Sequence, residues 1–176
     1  MGRCAQVGDE IGSRLVAARL VRDLMRLCFL MERRYAPYIK WFGTAFARLW
    51  CAERMSPSLS AALQAPTWRE RVEHLSAAYE LAAAMHNELG ITEPLTAQVS
   101  PFWDRPFAVI HGDRFVEAIR AEIRNEEVRA LPEHLGSVDQ FTDSTDALHF
   151  LDRMRGVYRD PQRDDRNTDG AQMEVT

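Results

Sequence analysis

The sequence predicts an all-α protein, an antiparallel bundle of five to six helices followed by a disordered tail. Two observations lead to this prediction. Apolar residues recur at helical spacing along most of the chain, and prolines, glycines and capping residues separate the periodic stretches. The 176 residues, 46% hydrophobic and 27% charged, suit one globular domain. We expect a lead-in at 1–8, a single helical domain at 9–158 and a disordered tail at 159–176.

The first predicted helix covers residues 9–34. At 100° per residue its apolar side chains fall on one wide arc, which indicates a largely buried helix. The arc comprises Val16, Leu20, Leu24, Leu27, Cys28 and Met31. A row of arginines lies opposite, and Arg22, Arg26 and Arg33 are its candidate anion-contacting residues. The alternative is a solvated face that pairs with acids such as Asp23.

Three further helices are expected before residue 91. A helix over 37–54 begins at Pro37, which suits a first turn. Its apolar arc holds Tyr38, Trp41, Phe42, Ala45, Phe46, Leu49 and Trp50. A short helix runs from Ser56–Pro57 to Pro66, and a long one begins at a capping box, Thr67 with Glu70, and ends at Gly90.

The second half of the chain is predicted to be less regular. Prolines at 94, 101 and 106 mark a structured crossing loop over 91–106, and 107–110 is a short extended segment. Asp113 is expected to cap a helix whose apolar face carries Phe115, Val116, Ile119 and Ile123. A last helix is expected from Ser144 to about Tyr158.

Composition and charge restrict the classes of function. The net charge of −4 combines +5 over residues 1–55 with −9 over the rest, too acidic in total for a dedicated nucleic-acid binder. No apolar run approaches the roughly 20 residues that cross a bilayer, and no signal peptide is recognisable, so we expect a cytoplasmic protein without membrane contact. Three widely spaced cysteines predict neither disulfides nor a zinc site.

The least ordinary stretch is Tyr35–Trp41. It places Tyr35, Tyr38, Lys40 and Trp41 around a helix junction marked by Pro37, and Lys40 is the only lysine beside 21 arginines. The aromatic rings could stack on a substrate while Lys40 meets a phosphate or carboxylate. The alternative is a set of core aromatics with a lysine whose stem lies along apolar surface. These four are the candidate substrate-binding residues.

A second candidate is the polar cluster of Asp139, Asp143 and Asp146, spaced i, i+4, i+7. On one helical face the three could offer oxygen ligands to magnesium. The alternative is two successive N-caps, with acids favourably placed at a helix start, and we favour it. We therefore assign no metal site and no catalytic residue to this chain.

The Gly12-Ser13 pair is similar to the start of a nucleotidyltransferase active site. Such sites need two carboxylates two residues apart, but Asp23 is followed at position 25 by Met25 and the segment is helical. We interpret this match as coincidence.

An Arg followed by a His five to seven residues later is the pattern of HEPN-type ribonucleases. Arg69/His74 is the best instance, because it lies on a predicted helix. Chance alone predicts about two such pairs in this composition, so a ribonuclease is only the weakest hypothesis.

Longer stretches resemble a known family. Residues 8–46, the Arg105-Pro-Phe107 tripeptide and residues 136–148 are similar to bacterial proteins that carry the domain of unknown function 4037, DUF4037. The resemblance implies a helical C-terminal half of the HEPN or nucleotidyltransferase type, similar to the helical domain of kanamycin-modifying enzymes. It also implies a preceding nucleotidyltransferase half that holds ATP, magnesium and the catalytic carboxylates.

The resemblance leads to two hypotheses of function. This chain begins where that first half would end, so we expect a truncated product, a misplaced start codon or a stand-alone module. It would be the substrate-side helical domain, inactive alone, with a nucleotidyltransferase domain or subunit as partner and a small molecule as substrate. The alternative is a non-catalytic module that forms a homodimer or docks on a separate nucleotidyltransferase subunit.

Overall fold

A computed structural model describes residues 1–131 of the chain. The predictions for the helix at 144–158, the tail at 159–176 and the cluster of Asp139, Asp143 and Asp146 lie outside the described residues. Within residues 1–131 the structure is mostly helical, which confirms the helical class. The elements are α1 Gly2–Gln6, α2 Glu10–Met31, α3 Ile39–Phe46, α4 Ala52–Gln64, α5 Trp68–Glu88, β1 Ser100–Pro101, β2 Ala108–Val109, α6 Asp113–Ala121 and α7 Glu126–Arg129.

The long helix α2 is close to its prediction, and its end has a clear physical cause. Asp9 caps the start by accepting a 2.8 Å hydrogen bond from the Gly12 amide. At the other end the Arg33 amide donates to the Leu30 carbonyl, and the Arg34 amide donates to the Phe29 carbonyl. This is a Schellman motif, in which Arg33 takes the left-handed conformation with φ +54°. The helix therefore ends three residues before the predicted position 34.

The predicted helix over 37–54 is wrong, because the chain turns between Phe46 and Ala52. The Glu32 carboxylate accepts hydrogen bonds from the Trp50 and Cys51 amides, at 3.0 and 2.8 Å, and so satisfies free amides ahead of α4. Helix α4 then starts before Pro57 and continues through it, whereas the sequence predicts a start at Ser56–Pro57. The side chain that fixes this boundary comes from the end of α2.

Helix α5 confirms its predicted ends. The Thr67 hydroxyl accepts a hydrogen bond from the Glu70 amide at 3.3 Å, and Gly90 follows the helix with φ +62°. Beyond it, β1 and β2 pair antiparallel, with Ser100 opposite Val109 and Pro101 opposite Ala108. Strand β2 falls within the extended segment predicted at 107–110. Asp113 is wrong as a cap, since Gly112 holds that position and Asp113 lies in the first turn of α6.

The core lies where α2, α4 and α5 pack together. Phe29 is its aromatic centre, with ring centroids 5.4 Å from Phe42 and 6.4 Å from Phe46. Cys28 and Cys51 are buried free thiols, as predicted for small core residues, and burial raises the pKa of both. Parts of the predicted arcs are not core, because Leu27 is 42% exposed and Trp50 is 87% exposed.

Candidate functional site

The segment Tyr35–Trp41 connects α2 to α3 and presents its aromatic rings to solvent. Tyr35 is 87% exposed, Tyr38 is 44% exposed and Trp41 is 54% exposed. The prediction that Tyr38 and Trp41 belong to the buried arc of a helix is therefore wrong. Helix α3 begins only at Ile39, and its buried side is formed by Phe42 and Phe46. The alternative interpretation, in which the aromatic side chains of this segment are core residues, is therefore wrong for Tyr35, Tyr38 and Trp41.

Lys40 lies on the first turn of α3 beside this exposed surface. Its Nζ is 5.4 Å from the centre of the Trp41 ring, within the range of a cation–π contact. Among residues 1–131 it forms no ion pair with a carboxylate. The ammonium therefore keeps its three donors available beside an aromatic face. We call Tyr35, Tyr38, Lys40 and Trp41 the aromatic platform.

The three candidate anion-contacting arginines do not form one group. Arg22 and Arg26 are one turn apart on α2 and both are half-buried. Arg22 also lies 3.7 Å from the Asp23 carboxylate, the pairing expected of a solvated face. Arg33 is exposed and stands in the left-handed turn after α2. The helical row predicted through Arg33 is therefore broken at its end.

The Gly12-Ser13 pair has a structural role on α2. A Cβ at Gly12 would lie 2.0 Å from the Asp9 carboxylate, so glycine leaves room for the cap. The Ser13 hydroxyl is buried and accepts a 2.7 Å hydrogen bond from Arg71 on α5. Arg71 also pairs with Glu10, and this hydrogen bond lowers the pKa of the Glu10 carboxyl. The pair thus lies in a buried network between helices rather than in an open site.

The Arg69/His74 pair does not form a shared pocket. The Arg69 guanidinium lies 4.6 Å from the centre of the Trp68 ring, and within residues 1–131 it forms no hydrogen bond with His74. His111 follows Arg105 by six residues and so fits the same spacing, but His111 bonds the Ser100 hydroxyl at 2.9 Å while Arg105 bonds Gln6. No described pair therefore has the geometry of a general acid–base site.

An apolar cavity of about 460 Å³ opens between α2, α5 and α6. The sequence patterns did not indicate it, because its walls come from segments up to 95 residues apart, from Leu24 to Ile119. Leucines of α2, small residues of α5 and the apolar face of α6 contribute. They include Leu24, Leu27, Leu30, Ala82, Ala83, Phe115, Val116 and Ile119. We call this the α2–α5–α6 cavity.

Two polar side chains, Tyr79 and His86, line this cavity on α5. Burial, with a smaller contribution from the Asp23 carboxylate, raises the pKa of Tyr79 to about 12. His86 Nε2 is 2.9 Å from the Thr92 hydroxyl, whose proton goes to the Glu93 carbonyl. His86 Nε2 is therefore the donor to the Thr92 hydroxyl, and the ring meets Phe115 edge to face at 5.1 Å.

The described residues contain neither a group of metal ligands nor a membrane-spanning helix. Over residues 1–131 no three His, Cys, Asp or Glu side chains are grouped so that they could hold a metal ion. No helix in that part of the chain has the length and apolar character needed to cross a membrane.

The N-terminal quarter of the chain is similar to a known family. No curated protein and no solved structure matches the chain. Residues 1–42 match the family model of a domain of unknown function, DUF4037. The match covers α1, α2 and the first residues of α3, including the whole aromatic platform. It confirms the resemblance to this family over residues 1–42, while the resemblance of later segments stays a prediction.

Proposed function

We propose that this chain is the substrate-side helical domain of a nucleotidyltransferase-like protein. In this proposal it supplies a wall and anion contacts for a small-molecule substrate. The partner is a nucleotidyltransferase domain or subunit, which holds ATP, magnesium and the catalytic carboxylates. The observation that carries the proposal is the aromatic platform, which lies within the segment that matches DUF4037.

The exposure of the platform supports a binding role. Burying a side chain of the size of Trp41 stabilises a protein by about 2 kcal/mol. Exposed rings make no such contribution unless a ligand or a partner covers them. Lys40 adds a compact positive charge that no described carboxylate neutralises. Rings beside an ammonium group suit a ligand with a flat apolar part and a phosphate or carboxylate.

Two measurements on the purified chain test this proposal. Thermal-shift assays with nucleotides, aminoglycosides and amino acids should identify a ligand that raises the melting temperature. Nucleotide transfer assayed with ATP and magnesium should give no product above background. Robust transfer by this chain alone would contradict the proposal, because the catalytic carboxylates would then lie on this chain.

The second candidate is a non-catalytic interaction module, and one surface favours it. Ile11 and Leu15 lie one turn apart on α2 and are 75% and 68% exposed. Neighbouring exposed apolar side chains of this kind are typical of interaction surfaces. Such a module would form a homodimer or dock on a separate nucleotidyltransferase subunit through this part of α2.

Analytical ultracentrifugation over a wide concentration range tests the second candidate. If α2 mediates dimerisation, Leu15→Glu should shift the protein to monomer, whereas Leu63→Glu, at a leucine on α4 that is 50% exposed, should not. A strictly monomeric wild-type chain would exclude the homodimer and leave only a docking role.

A further inference from the structure

The α2–α5–α6 cavity has the size of a ligand site. Pockets for small molecules usually enclose about 300–1,000 Å³, and an apolar cavity of about 150 Å³ is enough to bind benzene. At about 460 Å³ this cavity could hold a molecule of two or three rings. Water is poorly stabilised in such a space, because apolar walls form no hydrogen bonds with it.

The walls restrict the charge of the ligand. No Asp, Glu, Lys or Arg is among the described residues that line the cavity. A charged group inside would lose its hydration without gaining a partner of opposite charge, and this loss disfavours binding. Nucleotides and aminoglycosides are therefore poor ligands here, so this site is separate from the proposed function and does not rest on it.

Tyr79 is a polar residue in the wall of the cavity and is partly buried. Among residues 1–131 no group forms a hydrogen bond with its hydroxyl, so the hydroxyl is available to a ligand. With a pKa raised to about 12 the group keeps its proton at neutral pH, so it can donate to a ligand. His86, about two turns further along α5, already uses Nε2 in its bond to Thr92.

From these observations we propose that the α2–α5–α6 cavity binds a neutral molecule of two or three rings that accepts one hydrogen bond from the Tyr79 hydroxyl. The rings would lie between the leucines of α2 and the apolar face of α6. Val116 lines the cavity and is 52% exposed, so a substitution at this position can change the cavity without disturbing the core.

The probe for the first test is 2-naphthol, a two-ring molecule with one hydroxyl group. Its fluorescence should change saturably when the full chain is added. Val116→Trp places a large side chain in the cavity and should weaken binding at least ten-fold. Val128→Trp is the matched control, since Val128 lies on α7 outside the cavity and is 46% exposed, and it should bind as the wild type does.

The second test isolates the hydrogen bond. Naphthalene has the same rings without the hydroxyl. Tyr79→Phe should weaken 2-naphthol binding about five-fold, the usual effect of one hydrogen bond, and leave naphthalene binding unchanged. Equal loss for both probes would show that Tyr79 acts through packing alone and would overturn the assigned contact.

Melting temperatures distinguish blocked binding from lost structure. If Val116→Trp melts below the assay temperature, Ile119→Trp on the same face of α6 replaces it with the same expectation. The proposal is overturned if 2-naphthol binding does not saturate or if the stable tryptophan variant binds normally. It is also overturned if ultracentrifugation shows a wild-type dimer that Val116→Trp dissociates, because a second copy would then occupy the cavity.

Discussion

Arg71 on α5 donates a 2.7 Å hydrogen bond to the Ser13 hydroxyl on α2, and both side chains are buried. The same guanidinium donates to the Ala65 carbonyl at the end of α4 at 3.3 Å and pairs with Glu10. One side chain thus holds the start of α2, the end of α4 and the start of α5. A buried arginine is tolerated only where such partners replace water.

Arg71→Met should lower the free energy of unfolding by about 3 kcal/mol. The change leaves two buried groups, the Ser13 hydroxyl and the Ala65 carbonyl, without their donor, and each unsatisfied buried polar group costs about 1–3 kcal/mol. Urea denaturation measures the loss. Arg69→Met, two residues earlier on the exposed side of α5, is the control and should lower stability by less than about 1 kcal/mol, since it removes only the exposed contact with the Trp68 ring.

Glu32 should make stability depend on pH in the acidic range. Partial burial opposes its ionisation, but the hydrogen bonds from the Cys51 and Trp50 amides outweigh it, and the pKa of Glu32 falls below its ordinary value of 4.5. The contribution of Glu32 to the free energy of unfolding is therefore complete above pH 4.5. It is lost as the pH falls through the lower pKa that Glu32 has in the folded protein.

Glu32→Gln should remove this part of the pH dependence and cost about 1 kcal/mol at neutral pH, as the loss of a helix cap does. Denaturation at several pH values between 3 and 7 measures both effects. Glu53→Gln, in the exposed first turn of α4, is the control. A wild-type slope that survives in Glu32→Gln would show that other carboxyls cause it.

Arg33→Gly should stabilise the protein by about 1 kcal/mol. Arg33 occupies the left-handed position of the turn after α2, where a Cβ is unfavourable and glycine is not. Thermal or urea denaturation measures the gain. Arg34→Gly, at the next position and without a positive φ, should not stabilise. Equal effects at both positions would mean that the left-handed backbone is not the cause.

Lys40→Arg should weaken binding of the platform ligand and leave the melting temperature unchanged. A guanidinium is broader and holds its donors in a fixed plane, so it cannot replace a compact ammonium at every site. Affinity for a ligand found by the thermal-shift screen measures the effect. Arg48→Lys, an exposed change of the same kind outside the platform, is the control. Unchanged affinity would mean that Lys40 does not contact the ligand.

Local signals predicted the long helices, because their ends are set by nearby residues. The Asp9 cap, the Thr67 cap and the glycine at position 90 all act within a few positions of the helix that they end. The boundary between α3 and α4 could not be predicted in this way. It depends on Glu32, which caps amides 18 and 19 positions later only after the chain has folded back.

The candidate sites also differ in whether their residues are close together in the sequence. The aromatic platform was identified because its residues are contiguous in sequence. The α2–α5–α6 cavity was not, since leucine, alanine and valine at helical spacing look the same whether they fill a core or line a space. Leu27 is the example: its position predicted a core residue, but it lines the cavity and is 42% exposed.

The connection after α5 is held to that helix by side chains. The side chain of Asn87 donates from Nδ2 to the Leu95 carbonyl at 2.7 Å and accepts at Oδ1 from the Leu95 backbone N–H at 3.0 Å. These are the two bonds that a neighbouring strand would make with Leu95. Glu80 accepts from the Val99 amide at 3.0 Å. His86, through the Thr92 hydroxyl, and Arg114, through the Thr96 carbonyl, also hold this connection. Loss of these side-chain bonds would free the connection without opening the core of α2, α4 and α5. Backbone amides of 91–99 should therefore exchange hydrogen through local opening, at rates set by these side-chain bonds rather than by global unfolding.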